Sequence, residues 1–535
     1  MIRNPILPGF NPDPSICRAG ETYYIATSTF EWYPGVQIHR SDDLVKWELC
    51  ARPLSRASQL DMRGNPDSCG VWAPCLSHAD GLFWLVYTDV KRLDGNFKDA
   101  HNYIVTAPSI EGPWSEPTYV NSSGFDPSLF HDDDGRKWFL NLRWKHLSDS
   151  IGGHPTNPAF DGILLQEWSP ETGLTGDVRC IFEGSPLGLA EGPHLHKRGG
   201  WYYLTVAEGG TGYDHAVTMA RSRDIAGPYE LHPDTHLITA RNAPEAPLQR
   251  AGHGQIVETP EGETYHTHLC ARPLPGRFSP LGRETAIQKC VWGADGWLYL
   301  AQGGQVPAVE VESPSPAEPK APVILHRDFT GPELPPEFQW LRTPQPERLF
   351  ALTGSAVRLF GRESIGSWFE QSLVARRQEH LSYRAETTLQ NFAPDSYQQA
   401  AGLTTYYNRH KFHFAAVSRT REHGRCLMLL SCPGVWPDAP LSFPAEPLEL
   451  EDGPVRLAVD VAGAVQQFHV AEHGGDWRPF GPALDASVIS DESGRGEHGS
   501  FTGAFVGMAA FDITGRASPA DFTGFTYHPR PYGAQ

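Results

Sequence analysis

YYIATS, residues 23–28, is a short run of aromatic and β-branched residues. Similar runs return four times, as FWLVYT (83–88), KWFLNL (137–142), YYLTVA (202–207) and YHTHLC (265–270). Their starts lie 60, 54, 65 and 63 residues apart, so one unit recurs five times across the first 300 residues. A turn signal precedes each run: AGE, ADG, DDDGR, RGG and PEGE. Another short apolar stretch lies ahead of each turn, and the pair reads as a β-hairpin. Three units share a later signature, SDDLVKW (41–47), APSIEGPW (107–114) and SRDIAGPY (222–229), read here as an outer strand of the unit. A period near 60 with several strands per unit suits the blades of a β-propeller, five in number. The competing reading is an irregular β-sandwich with accidental spacing.

Composition agrees with an all-β chain of several domains. Its 535 residues exceed one core, and 11% aromatics with 53 Gly and 47 Pro favour short strands and turns over helices. Residues 306–325, beginning VPAVEVESPSPAEPKAP, are too rich in proline for a central strand and read as a linker. Residues 1–305 form the propeller in this reading. Residues 326–535, with alternating stretches such as LSYRAETTLQ and FHFAAVS, form a second all-β domain, a sandwich.

The net charge of −19 and the lack of any basic block argue against a nucleic-acid partner. No apolar run is long enough to span a membrane, and the N-terminus lacks a signal-peptide core, so the expectation is a cytoplasmic protein without membrane association. Nine cysteines without a CxxC pair read as free thiols in a reducing compartment. Neither a P-loop nor a GxGxxG fingerprint occurs.

Aligning the units on their aromatic runs brings five positions into correspondence, about ten to twelve residues before each run: Asp13 in NPDPS, Trp72 in WAPCL, Asp126 in FDPSL, Glu191 in AEGPH and His253 in AGHGQ. Read alone, Asp13 between two prolines is a turn residue. Rotation about a propeller axis instead gathers two aspartates, a glutamate, a histidine and a tryptophan at one end of the channel. Clustered like charges destabilise a fold unless they serve a site. Carboxylates beside an aromatic face suit sugar chemistry, where one acid protonates a leaving oxygen, one base activates water and a ring packs on the sugar.

NPILPGFNPDPSI, STFEWYPGVQIHRSDDL, SGFDPSLFHDDDGRKW, EGPHL, PLGRETAIQ and FTGAFVG together resemble the β-xylosidases of glycoside hydrolase family 43, in the subgroup with a five-bladed propeller and a C-terminal β-sandwich of concanavalin-like, jelly-roll type. The resemblance runs nearly end to end. It implies Asp13 as general base, Glu191 as general acid and Asp126 as the group that orients the acid and tunes its pKa. It implies inversion, for which the two working carboxyls stand roughly 6.5 to 9.5 Å apart. It assigns Arg283 to substrate hydroxyls, Phe30 and Trp72 to the walls of the sugar pocket, and Phe501 to a closure reaching over from the second domain. Taken alone, Arg283 would be a surface cation paired with Glu284, and the aromatics would be core. In parts of the family a histidine placed like His253 binds a hydrated divalent cation, often calcium; a histidine hydrogen-bonded in a polar core is the alternative. No cofactor is required for the chemistry.

The activity implied is exo-acting β-1,4-xylosidase on xylo-oligosaccharides with an α-L-arabinofuranosidase side activity. Arabinofuranosidase as the main activity and a non-catalytic carbohydrate-binding propeller are the other readings. A homo-oligomer, dimer or tetramer, is expected. Residues 143–162 depart from the family's pattern, which points to different outer subsites there. Cys69 and Cys75 flank Trp72, close enough to the site to invite inhibition by thiol reagents.

Overall fold

The computed structural model describes residues 1–93, 97–147, 159–390, 392–435, 440–472, 474–494 and 500–532. Most of the departing stretch at 143–162 thus lies outside the described residues.

Five antiparallel sheets form the blades of a β-propeller. Blade one is built from Ser15–Ala19, Thr22–Thr27, Gln37–Ser41 and Glu48–Ala51. The inner strands of the others begin at Gly70–Ala79, Ser128–His131, Glu191–Arg198 and the broken pair Gln249–Gly252 and Ile256–Glu258. Each aromatic run is the second strand of its blade, paired antiparallel to the inner one. The hairpin turns follow the residues predicted for them. Asp80 and Gly81 both take positive φ, as do Gly199 and Gly200, which is what a two-residue turn between twisted strands requires.

The later signature is not an outer strand. Each copy is the turn that leads from the third strand to the fourth, as between Gln37–Ser41 and Glu48–Ala51. Its pattern has a different physical cause, because the closing aromatic latches the turn onto a backbone carbonyl. Trp47 Nε1 donates to the Leu44 carbonyl at 3.2 Å, Trp114 Nε1 to Ile110 at 3.1 Å and the Tyr229 hydroxyl to Ile225 at 2.9 Å. Asp43 and Asp224 cap the same turns by accepting backbone N–H groups.

Beyond the last blade, Glu310–Val311 pairs with Ile2–Arg3, and the chain enters the second domain at Leu325–Arg327. That domain is a sandwich of two large antiparallel sheets, concanavalin-like in type. Trp32–Tyr33, from the propeller, forms the last strand of one of these sheets by pairing with Phe338–Leu341. The Trp32 ring stacks on Phe505 with centroids 3.5 Å apart. The sandwich therefore grips the chain two residues past Phe30, the residue expected in the sugar pocket.

Candidate active site

The five inner strands share a defect where they begin. Asp13, Asp126 and His253 have φ of 55°, 54° and 47°, a left-handed conformation uncommon for these residues, and each lies two or three positions before its strand. In the two remaining blades the inner strand itself bulges, between Trp72 and Cys75 and between Glu191 and His194. Such kinks re-aim a side chain away from the sheet's alternation. Their recurrence explains why corresponding positions of the repeat converge.

Asp13, Phe30, Trp72, Asp126, Glu191, Arg283 and Phe501 line one cavity of about 340 Å³. His253 does not line it but lies behind Asp13, its Nδ1 3.8 Å from Asp13 Oδ1. Phe501 comes from the sandwich, with ring centroids 6.4 Å from Phe30 and 6.1 Å from Trp72.

Asp13 is held through both oxygens. Arg283 Nη1 donates to Oδ1 at 2.8 Å and the Ser28 hydroxyl donates to Oδ2 at 2.6 Å. Arg283 is buried and does not pair with Glu284; it also donates from Nη2 to the Phe501 carbonyl at 3.0 Å. Glu284 opens a strand and faces the other way, where it accepts two hydrogen bonds from Arg272. The guanidinium thus ties the aspartate to the wall supplied by the sandwich.

On the opposite side of the cavity two carboxyls are pushed up by burial. Burial pushes the Glu191 carboxyl up to about 7, the charge of Asp13 pushes the same way, and Lys98 and Arg283 pull it back. Asp126 stands well above the usual carboxylate range through burial and the charges of Glu191 and Asp13. Two of the three carboxyls at this site are thus held above the ordinary carboxylate range by burial and neighbouring charge, the direction that a proton donor needs.

Lys98 is a site residue that the repeat does not mark. It lines the cavity with its Nζ 4.9 Å above the Trp72 ring, 5.1 Å above Phe125 and 4.3 Å above Trp144. Burial lowers its ammonium to about 8, with Glu191 opposing. It sits on the loop before Asp99–Ala107, away from the inner-strand starts, and no feature of its neighbourhood in sequence sets it apart. Phe125 has a visible cue, since it directly precedes Asp126 in FDPS.

Cys69 and Cys75 are buried, and burial pushes both thiols up, Cys75 to about 11. Such thiols offer little thiolate to a reagent. All nine cysteines are free.

Behind Asp13 the channel is polar. His194 lies 6.3 Å from His253, centroid to centroid, and Gly192 packs so closely that an added Cβ would meet the His253 ring at 2.7 Å. His215 Nε2 and both ring nitrogens of His266 are buried without a hydrogen-bond partner. Burial lowers all four imidazoles, which keeps them neutral and their lone pairs available. Among the described residues no group of three or more His, Cys, Asp or Glu could hold a metal. A bare ion has no cage here, whereas an ion that keeps its water shell needs few protein ligands, and the unpartnered nitrogens could bond its waters.

Comparison with known proteins identifies the family. Residues 2–298 match the family described as Glycosyl hydrolases family 43, and residues 326–528 match the Beta xylosidase C-terminal Concanavalin A-like domain. The chain belongs to glycosyl hydrolase family 43. A relative from Humicola insolens, Xylosidase/arabinosidase 43B, is 56% identical over 99% of this chain and 98% of its own. The Beta-xylosidase of Bacillus subtilis (strain 168) is 48% identical over 98% and 99%. The crystal structure of xylan beta-1,4-xylosidase from Bacillus halodurans C-125 superposes with a TM-score of 0.94, at 48% identity, covering 99% of this chain and all of that one. Among the described residues no helix is long and apolar enough to cross a membrane.

Proposed function

We propose that this family 43 hydrolase is an exo-acting β-xylosidase that releases xylose from the non-reducing ends of β-1,4-xylo-oligosaccharides by inversion, with α-L-arabinofuranosidase as a side activity. The observation that carries the reading is the contrast within one small cavity, where Asp13 is held by Arg283 and Ser28 while Glu191 is pushed up to about 7. In this mechanism Asp13 takes a proton from water as its oxygen bonds the anomeric carbon. Glu191 gives its proton to the glycosidic oxygen as that bond breaks. Asp126 orients the acid, Arg283 and Lys98 bind sugar hydroxyls, and Phe30, Trp72 and Phe501 pack on the ring. A cavity of about 340 Å³ lies at the small end of ligand pockets and suits one terminal sugar. The name of the Humicola relative supports the pairing of activities, that of the Bacillus subtilis relative supports the xylosidase, and the likeness to the Bacillus halodurans xylan beta-1,4-xylosidase supports the 1,4 linkage.

His253 would hold a hydrated divalent cation, calcium in the first instance, which supplies positive charge behind the base. A cytoplasmic location is supported by the nine free thiols, and a dimer or tetramer by the family resemblance alone.

The test compares kcat/KM on an aryl β-D-xyloside, an aryl α-L-arabinofuranoside and xylobiose, with the xylosides expected to lead. Failure on all three overturns the proposal. Proton NMR of the first product should show α-xylose, and β-xylose would exclude inversion.

A further inference from the structure

Two aromatic walls of the cavity, drawn from two domains, meet on one serine that is not itself part of the lining, and the third, Phe30, is joined to it through Glu31. Ser68 is fully buried, and its φ of 62° is a conformation that a serine rarely adopts without a reason. Its carbonyl accepts Trp72 Nε1–H at 2.9 Å, and its Oγ accepts the backbone N–H of Phe501 at 3.0 Å. Its own N–H donates to Glu31 Oε2 at 3.1 Å. Glu31 directly follows Phe30, whose backbone exchanges hydrogen bonds with Val71 at 2.9 and 3.1 Å. Two residues thus reach all three rings, Phe30 along the chain and Trp72 and Phe501 through Ser68.

We infer that Glu31 and Ser68 are positioning residues that hold Phe501 of the sandwich in register with Phe30 and Trp72 of the propeller. Neither touches the sugar. The pair is anchored to the sandwich as well, since the Arg342 N–H donates to the Glu31 carbonyl at 2.9 Å. Arg342 Nη2 donates to Asp67 Oδ1 at 2.8 Å, and Arg409 Nε to Asp67 Oδ2 at 3.0 Å. Arg342 and Ser68 themselves are both 1% exposed or less. An apolar contact would bury this junction at lower desolvation cost but would not fix the direction of the Phe501 backbone, whereas a hydrogen bond does. Burial pushes the Glu31 carboxyl up to about 8, with Asp67 raising it and Arg342 lowering it, consistent with a group kept for its geometry and not for surface charge.

The inference rests on the proposed sugar pocket, and the experiment separates the two. Ser68→Ala removes the acceptor of the Phe501 N–H. It should raise KM for an aryl xyloside, and the inhibition constant of free xylose, about fivefold while kcat stays within about twofold. In a Phe501→Ala background the same change should add nothing, because it acts through that ring; independent, multiplying effects overturn the inference. Glu31→Gln keeps an oxygen for the Ser68 N–H and should stay near wild type, whereas Glu31→Ala should follow Ser68→Ala. Hydrogen exchange reads the junction without substrate. The Phe501 amide should exchange faster in Ser68→Ala, and unchanged protection overturns the inference even if the wild type cleaves no xyloside. A wild type that fails on every glycoside speaks against the pocket's proposed function, and the exchange result still decides the positioning role. Thermal melts identify any Glu31 variant that fails to fold, and Ser68→Ala with its double variant then decides.

Discussion

Asp13 and Glu191 reach the same cavity from corresponding ends of blades one and four, and their surroundings are opposite. Asp13 accepts hydrogen bonds from a guanidinium and a hydroxyl, with a histidine behind it. Glu191 lies in a desolvated wall beside Asp126, and the ammonium of Lys98 only partly compensates its burial. The repeat produces two equivalent positions, and the neighbours give one two hydrogen-bond donors and push the carboxyl of the other up. Equivalence of backbone is therefore no guide to equivalence of role, because donors within about 3 Å and the loss of water decide which form is favoured.

The strongest way to break this contrast is Asp13→Asn. The amide preserves shape but cannot take a proton from water, so kcat/KM should fall by about 10³-fold or more on aryl xyloside and xylobiose alike. Near wild-type turnover would remove Asp13 from the chemistry. Glu191→Gln should be asymmetric where Asp13→Asn is not. Xylobiose, whose leaving oxygen needs a proton, should lose about 10³-fold, and an aryl xyloside with a good leaving group about tenfold. The pH profile carries the same information. An acid pushed up to about 7 is lost as pH rises through that value, so wild-type kcat/KM should fall on the alkaline side there, and Glu191→Gln should lack that limb. Equal losses on both substrates would assign Glu191 another role.

How much of this was legible beforehand depended on whether a residue sat in phase with the repeat. The aromatic runs and their turns marked the blades because strand pairing and two-residue turns are local requirements. The strand starts marked Asp13, Asp126, Glu191, Trp72 and His253, because rotation about one axis brings equal phases together. The latched turns read as strands in sequence because Leu or Ile followed by an aromatic resembles a buried strand, and the aromatic's hydrogen bond to a carbonyl three or four residues back leaves no periodic trace. Lys98 lies on a loop with no phase. Ser68 Oγ and Glu31 Oε2 accept from backbone N–H groups, partners that almost every residue offers and that no pattern in the sequence marks. The pairing of Trp32–Tyr33 with Phe338–Leu341 joins positions some 300 residues apart, which no local pattern could announce.

Lys98 sharpens the contrast by a smaller step. Its charge lowers Glu191, so Lys98→Met should raise the acid further and move the alkaline limb of kcat/KM to higher pH, while weakening substrate binding. Removing a cation can only make the carboxyl harder to ionise, so a limb that moves to lower pH would show that the lysine reaches Glu191 through some other path, and an unmoved limb that it does not reach it at all.

The smallest expected effect tests the side of Asp13 that faces away from substrate. A divalent ion near His253 would act on the base through its own water shell, and that layer screens it, so calcium added after chelation should change kcat/KM by only about twofold. The diagnostic is its dependence on the imidazole. His253→Ala should abolish the response to calcium and chelator, whereas the charge state of Glu191, on the far side of the cavity, should keep its alkaline limb near 7 with or without the ion. A calcium response that survives His253→Ala would place the ion elsewhere. No response in activity or melting temperature would leave the four neutral histidines as a polar channel filled by water, and the difference between Asp13 and Glu191 would then rest on Arg283, Ser28 and burial alone.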